Sequence, residues 1–260
     1  MMRLGILIMV LVSCKPLPAQ TELTTSVDTL KAGNTTITFN NICTGEQKGI
    51  QFIHVHENEQ TAADAAKKML VKYNRGCFVS WQSMADRYVS FKLDTANYKF
   101  DPNRIYTLKG RKETLTSNGK YSREADSITA SVANAFLEKY INNHKLVIAL
   151  HNNTDGGGLT INSFKKGGPY AMDAKSVYVN NANDEDDFFL TTDSSIYKFI
   201  KSKGYNVLLQ DNENVTDDGS LSVYAATKKI AYLNIEAQHG HLQQQLEMMD
   251  LVQEMINKLY

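Results

Sequence analysis

The sequence predicts a single α/β domain with a mixed, mostly parallel β-sheet flanked by helices. Three observations lead there. Apolar strand-like runs at residues 50–55, 146–150 and 230–235 are separated by segments whose apolar residues recur at helical spacing. The run Leu146-Val147-Ile148-Ala149-Leu150 contains no polar alternation, the pattern of a strand covered on both faces. The chain is 260 residues long, 42% hydrophobic and 22% charged, enough for one substantial core, and it shows neither repeats nor a linker. With 28 Lys+Arg against 28 Asp+Glu it carries no broad basic field, which excludes nucleic acid as a main partner.

The elements follow in order. Residues 1–13 combine Arg3 with an apolar stretch from Leu4 to Val12, too short for a membrane span and typical of a secretory signal. Leu11-Val12-Ser13-Cys14 resembles a bacterial lipobox, so lipidation at Cys14 is expected; the rival is a cut after Ala19. Either cleavage leaves a slightly acidic exported chain, bound to membrane only through a lipid anchor. Residues 20–48 are polar and Thr-rich with strand alternation, suggesting an exposed hairpin at an edge. A strand at 49–55 precedes an Ala-rich helix at 61–73, with Ala62, Ala65, Ala66, Met69, Leu70 and Tyr73 on one face. Strands at 77–81 and 88–93 lead into a loop through Pro102 and Gly110. A helix at 122–141 is followed by the strand at 146–150. Further strands are expected at 176–179, 207–210 and 230–235, with helices at 193–203 and 242–259. Cys43 and Cys77 remain beyond Cys14, as a structural bridge or as two buried thiols.

Chemistry collects where the strands end. The run 50–55 leads into His56-Glu57-Asn58-Glu59, the run 146–150 into His151, and the run 230–235 into Glu236. In open α/β sheets ligands bind outside the carboxyl ends of strands. His56 and Glu59, three apart at the start of a helix, share a face and can reach one ion. With His151 they make a three-ligand set for one zinc ion, leaving a position for water. Glu236 is then the candidate general base. Any one of these residues alone is commonplace; three strand ends acting together are what point to a metallohydrolase.

The same residues carry a family resemblance. His56-Glu57-Asn58-Glu59 resembles the HxxE signature of the zinc carboxypeptidases, and more closely the HGNE form of the aspartoacylase and succinylglutamate desuccinylase group, with Glu57 in place of Gly. Asp101-Pro102-Asn103-Arg104 is similar to the D-x-N-R motif of that superfamily. The resemblance implies a zinc carboxypeptidase-like catalytic domain over residues 20–260. In it His56, Glu59 and His151 hold zinc, Asn103 and Arg104 anchor the substrate carboxylate, and Glu236 is the base. It also implies an upstream arginine that polarises the scissile carbonyl; Arg87 is the positional choice, with Arg75 and Arg111 as alternatives. Tyr170 and Tyr178 are candidates for a tyrosine over the substrate. The implied substrate is a small peptide or an N-acyl amino acid, with peptidoglycan-derived peptides a candidate class in the bacterial periplasm. A non-catalytic envelope lipoprotein keeping the fold is the reading from a different class.

Other features carry less. Of the pairs His54/His56 and His239/His241, His54 reads as packing or support behind the site, and His239 and His241 as support or loop polarity near its mouth. Asp184-Glu185-Asp186-Asp187 reads as a solvated loop. The acidic stretch 211–219 has Thr216 where a calcium loop needs glycine, and Gly156-Gly157-Gly158 lacks the Lys-Ser/Thr of a phosphate loop.

Overall fold

The computed structural model describes residues 23–83, 86–156 and 159–260. The expected leader, with Cys14 and the alternative cut after Ala19, lies outside the described residues, as do Gly157 and Gly158. The elements in chain order are β1 (Leu23–Ala32), β2 (Thr35–His54), α1 (Gln60–Tyr73), β3 (Arg75–Gln82), β4 (Val89–Leu93), β5 (Ala96–Phe100), α2 (Leu108–Ser117), α3 (Arg123–Tyr140), β6 (Leu146–Asn153), β7 (Ala174–Tyr178), β8 (Phe188–Thr191), α4 (Ser194–Ser202), β9 (Val207–Gln210), α5 (Leu221–Lys228), β10 (Ala231–Gln238) and α6 (Leu242–Leu259).

One eight-stranded sheet runs β1-β2-β6-β10-β8-β9-β7, with β3 paired to β2. β1 and the start of β2 form the expected edge hairpin. β2 then meets β3 twice. Its first half pairs in opposite sense, from Thr38↔Gln82 to Thr44↔Gly76; its second half pairs in the same sense, from Gln51↔Cys77 to His54↔Ser80. The second half of β2 is parallel to β6, and β6 to β10, which forms the parallel centre of the sheet. Beyond it β8 is antiparallel to β10, β9 parallel to β8, and β7 antiparallel to β9. A separate ribbon pairs β4 with β5.

Period-two alternation sends successive side chains of the central strands to opposite faces. Leu146, Ile148 and Leu150 join α1, α4 and α6 in one core; Val147 and Ala149 join the other, built on Phe39, Trp81 and Phe136. In α1 the alanines at 62, 63, 65 and 66 are all buried, so that the helix lies close on the sheet.

Four elements were not foreseen. The expected loop at Pro102–Gly110 gives way to α2, where Thr107 caps by accepting the Gly110 N–H at 3.0 Å. Gly110 reads as a loop marker, yet it marks a close approach: a Cβ there would lie 2.2 Å from Gly219 Cα. β5, β8 and α5 were likewise not expected.

Of the two alternatives for Cys43 and Cys77, the bridge is the one formed; the residues lie opposite each other on β2 and β3 and close a 34-residue separation. Chain entropy values such a loop at about 3–4 kcal/mol. Replacing both cysteines by serine should lower unfolding stability by about that amount, measured by urea titration of the oxidised wild type against the double variant.

Candidate active site

The parallel centre of the sheet positions the site. His56 follows β2 by two residues, Glu59 is the N-cap residue of α1, and His151 and Glu236 are register partners on β6 and β10. All four are buried, with 1–6% exposure. His56, Glu59 and His151 present donor atoms that lie within 4.8 Å of one another. Local sequence explains this: β2 delivers His56 at its carboxyl end, and a tight turn, closed by the Glu59 N–H on the His56 carbonyl at 3.0 Å, swings Glu59 back beneath it.

Both imidazoles turn Nδ1 to the same carboxylate, His56 to Glu59 Oε1 at 2.8 Å and His151 to Glu59 Oε2 at 2.9 Å. The other ring nitrogen of His56, Nε2, faces Asp101 Oδ1 at 2.8 Å. Arg87 spans the pair, with Nη1 2.8 Å from Glu59 Oε1 and Nη2 3.3 Å from Asp101 Oδ2. This donor set fits a divalent metal. The Asp101 carboxylate holds a proton on Nε2 and leaves Nδ1 as the ligand atom, while two imidazoles and a carboxylate converge on one point. Asp101 was quoted in the sequence motif but assigned no role; its contact with His56 becomes visible only when the β5 end is folded against the β2 end.

Without metal the cluster is a charge network. Burial alone would lower the His56 pKa, but the Glu59 and Asp101 carboxylates reverse that and raise it to about 9. Burial would raise the Glu59 carboxyl, but the facing His56 and His151 imidazoles hold it well below the usual carboxylate range. Because the folded value of His56 exceeds the unfolded one, its stabilisation is complete below about pH 6.5 and is lost as pH rises through about 9. Metal-free protein should therefore lose stability across that window, while a saturating zinc concentration should flatten the loss; thermal melts at several pH values measure both.

Glu59 leaves the usual N-cap duty undone, since its side chain makes no cap hydrogen bond. Asn152, next to His151, supplies the cap from β6: its Oδ1 accepts the Ala62 N–H at 2.9 Å, and its own N–H donates to Glu59 Oε2 at 3.2 Å. Its amide Nδ2 donates to Gln245 Oε1 at 3.0 Å, tying the site to α6. His54 supports the turn from below, through Nε2 and the Glu59 carbonyl at 2.9 Å.

Glu236 faces a cavity of about 550 Å³ that Asn103 and Arg104 also line. Burial raises the Glu236 carboxyl, the neighbouring Glu59 charge adds to this, and the His151 charge and the Asn234 hydrogen bond oppose it. Asn234 Nδ2 donates to Glu236 Oε1 at 2.8 Å. Two residues apart on β10, they share a sheet face, a spacing legible in the sequence. Asn103 Oδ1 accepts the Leu221 N–H at 3.1 Å at the start of α5, which turns its amide donors the other way. Arg104 places Nε 3.4 Å from Asp218 Oδ2 and donates from Nη1 to the Asn103 carbonyl at 2.8 Å. Gly219, at φ +79°, makes this possible, because a Cβ there would lie 2.5 Å from the Arg104 carbonyl oxygen.

The alternatives to Arg87 are occupied elsewhere, Arg75 with Asn257 and Arg111 with Asp126. Tyr170 lines the cavity and Tyr178 does not. His241 lies 3.6 Å from Asp187 in a separate group with Asp184, apart from the trio. The expected solvated loop at 184–187 is partly wrong: Asp186 is buried, and Asp187 Oδ1 accepts the Gln238 N–H at 2.9 Å, fastening the loop to β10.

No protein-family model matches the chain. No curated protein matches it either. Solved structures of similar fold include an aspartoacylase family protein from Mesorhizobium loti, at 11% identity and TM-score 0.38, covering 84% of this chain and 62% of that one. A succinylglutamate desuccinylase/aspartoacylase from Rhodobacter sphaeroides gives 10% and 0.43, covering 94% and 68%. A metallo-carboxypeptidase from Burkholderia cenocepacia gives 8% and 0.47, covering 93% and 66%. The chain thus spans about two thirds of the length of the structures it resembles.

Proposed function

We propose that the protein is an exported, zinc-dependent amide hydrolase of carboxypeptidase type, cleaving a bond beside a free carboxylate. The observation that carries this reading is the His56–Glu59–His151 trio set beside Glu236, with Asn103 and Arg104 lining the same cavity. A zinc ion held by the trio supplies a Lewis acid that acidifies water and polarises the scissile carbonyl. Around it the chain's own residues divide the work. Arg104 offers the planar fork suited to a carboxylate, and the Asn103 amide adds a donor. Glu236, one oxygen held by Asn234, takes the water's proton at the other and passes it to the leaving amine. Arg87 places positive charge beside the trio, where the carbonyl oxygen gains negative charge.

The Cys43–Cys77 bridge supports an oxidising compartment, in keeping with export. Peptides and N-acyl amino acids share the required chemistry, an amide next to a carboxylate. The test is metal content together with hydrolysis. The purified protein should carry one zinc ion, and a His56→Ala/Glu59→Ala variant none. Side-by-side assays of C-terminal peptides and N-acyl amino acids then assign peptidase or deacylase. Wild type without zinc, or zinc retained by the variant, would sink the assigned site.

A further inference from the structure

Resting on the function proposed above, we infer that the carboxylate-bearing residue accepted here has an aliphatic side chain ending in an ammonium group. The cavity beyond Glu236 has two kinds of wall. Leu159, Phe164, Pro169, Leu190, Val215 and Val223 supply apolar surface suited to a chain of methylenes. Beside the hydroxyls of Tyr170, Thr216, Ser220, Ser222 and Tyr232, the polar lining includes three carboxylates and two amides that each have a donor engaged inside the protein. Gln210 is buried and gives Nε2 to Asn212 Oδ1 at 3.2 Å, which leaves its carbonyl oxygen for a ligand. Asn234 gives Nδ2 to Glu236, and its Oδ1 has no partner. A carboxylate accepts and cannot donate, so this amide orientation is set by chemistry. Asp173 uses one oxygen on the Thr216 N–H at 2.8 Å and keeps the second unpaired.

Charge points the same way. Asp173, Asp218 and Glu236 line the cavity against one cation, Arg104, among the described residues. Arg104 is shared with Asp218 and is the group that takes the substrate carboxylate. Once it is occupied, the remaining lining is negative and rich in acceptors. A buried acceptor left without a hydrogen is costly, so an apolar or anionic side chain is disfavoured. An ammonium on a methylene stem matches wall and acceptors together.

The test uses zinc-loaded protein and matched substrates, peptides and N-acyl amino acids ending in lysine, norleucine or glutamate. Norleucine keeps a lysine-like stem and lacks the ammonium. The expected result is a kcat/KM for lysine at least about tenfold above norleucine, with glutamate lowest. Asp173→Asn, which retains an acceptor for the Thr216 N–H, should reduce the lysine-to-norleucine ratio severalfold. Equal or better turnover of norleucine or glutamate overturns this inference and leaves the hydrolase reading standing. An unchanged ratio in Asp173→Asn removes Asp173 from the recognition and overturns the charge argument. Failure of zinc-loaded protein to cleave any of the substrates overturns the hydrolase reading, and this inference with it.

Discussion

Glu236→Gln is expected to retain zinc and to lose about 10²–10⁴-fold in kcat, the range for removal of a general acid–base group. The substitution is close to isosteric. Asn234 can still donate to the side-chain carbonyl, so the cavity should keep its shape. What disappears is the second carboxylate oxygen, the one that takes a proton. A buried carboxyl raised by its surroundings is suited to this exchange, since it lies closer to neutrality than an exposed one. Metal analysis and steady-state kinetics on the same preparation separate the outcomes. Full activity with zinc bound would take Glu236 out of the base role; loss of zinc would place it in the metal site instead.

Glu59→Gln should have the largest effect on the protein itself. One buried carboxylate accepts from His56, His151, Arg87 and the Asn152 N–H. A neutral amide cannot serve four donors, and its own NH₂ would face one of them. Breaking a buried charge pair in this way costs about 3–5 kcal/mol. The variant should melt earlier than metal-free wild type and show no zinc-dependent rise in melting temperature. Wild-type stability with normal zinc uptake would mean that Glu59 is neither a ligand nor the centre of the network.

The two residues differ in how readily sequence exposes them. Glu236 ends the strand-like run 230–235, and a residue there in an α/β protein falls at the carboxyl edge of the sheet, whatever the details of the fold. The same logic located His56, Glu59 and His151, and strand and helix periodicities located most of the scaffold. Asp101 and Asn152 show where that logic stops. Each is an ordinary polar residue in sequence, and each matters through one contact: Asp101 with His56, 45 residues away, and Asn152 with Ala62, 90 residues away. No local pattern encodes a partner at that separation.

Arg87 illustrates the intermediate case. Three arginines fitted the positional expectation, and sequence had no means to rank them. Folding pairs Arg75 with Asn257 and Arg111 with Asp126, and leaves Arg87 against Glu59 and Asp101.

By itself the sequence determined the class of fold, the order of its main strands and helices, and the residue types delivered to the carboxyl edge of the sheet. These depend on local periodicity and on where an apolar run stops, both written within a few consecutive residues. The tertiary structure alone decided which arginine joins the site, which carboxylate orients His56, that Cys43 and Cys77 are joined, and that three carboxylates and one arginine line the cavity beside Glu236. Those depend on distances between residues remote in the chain, which are set only when the sheet assembles and its two faces are packed.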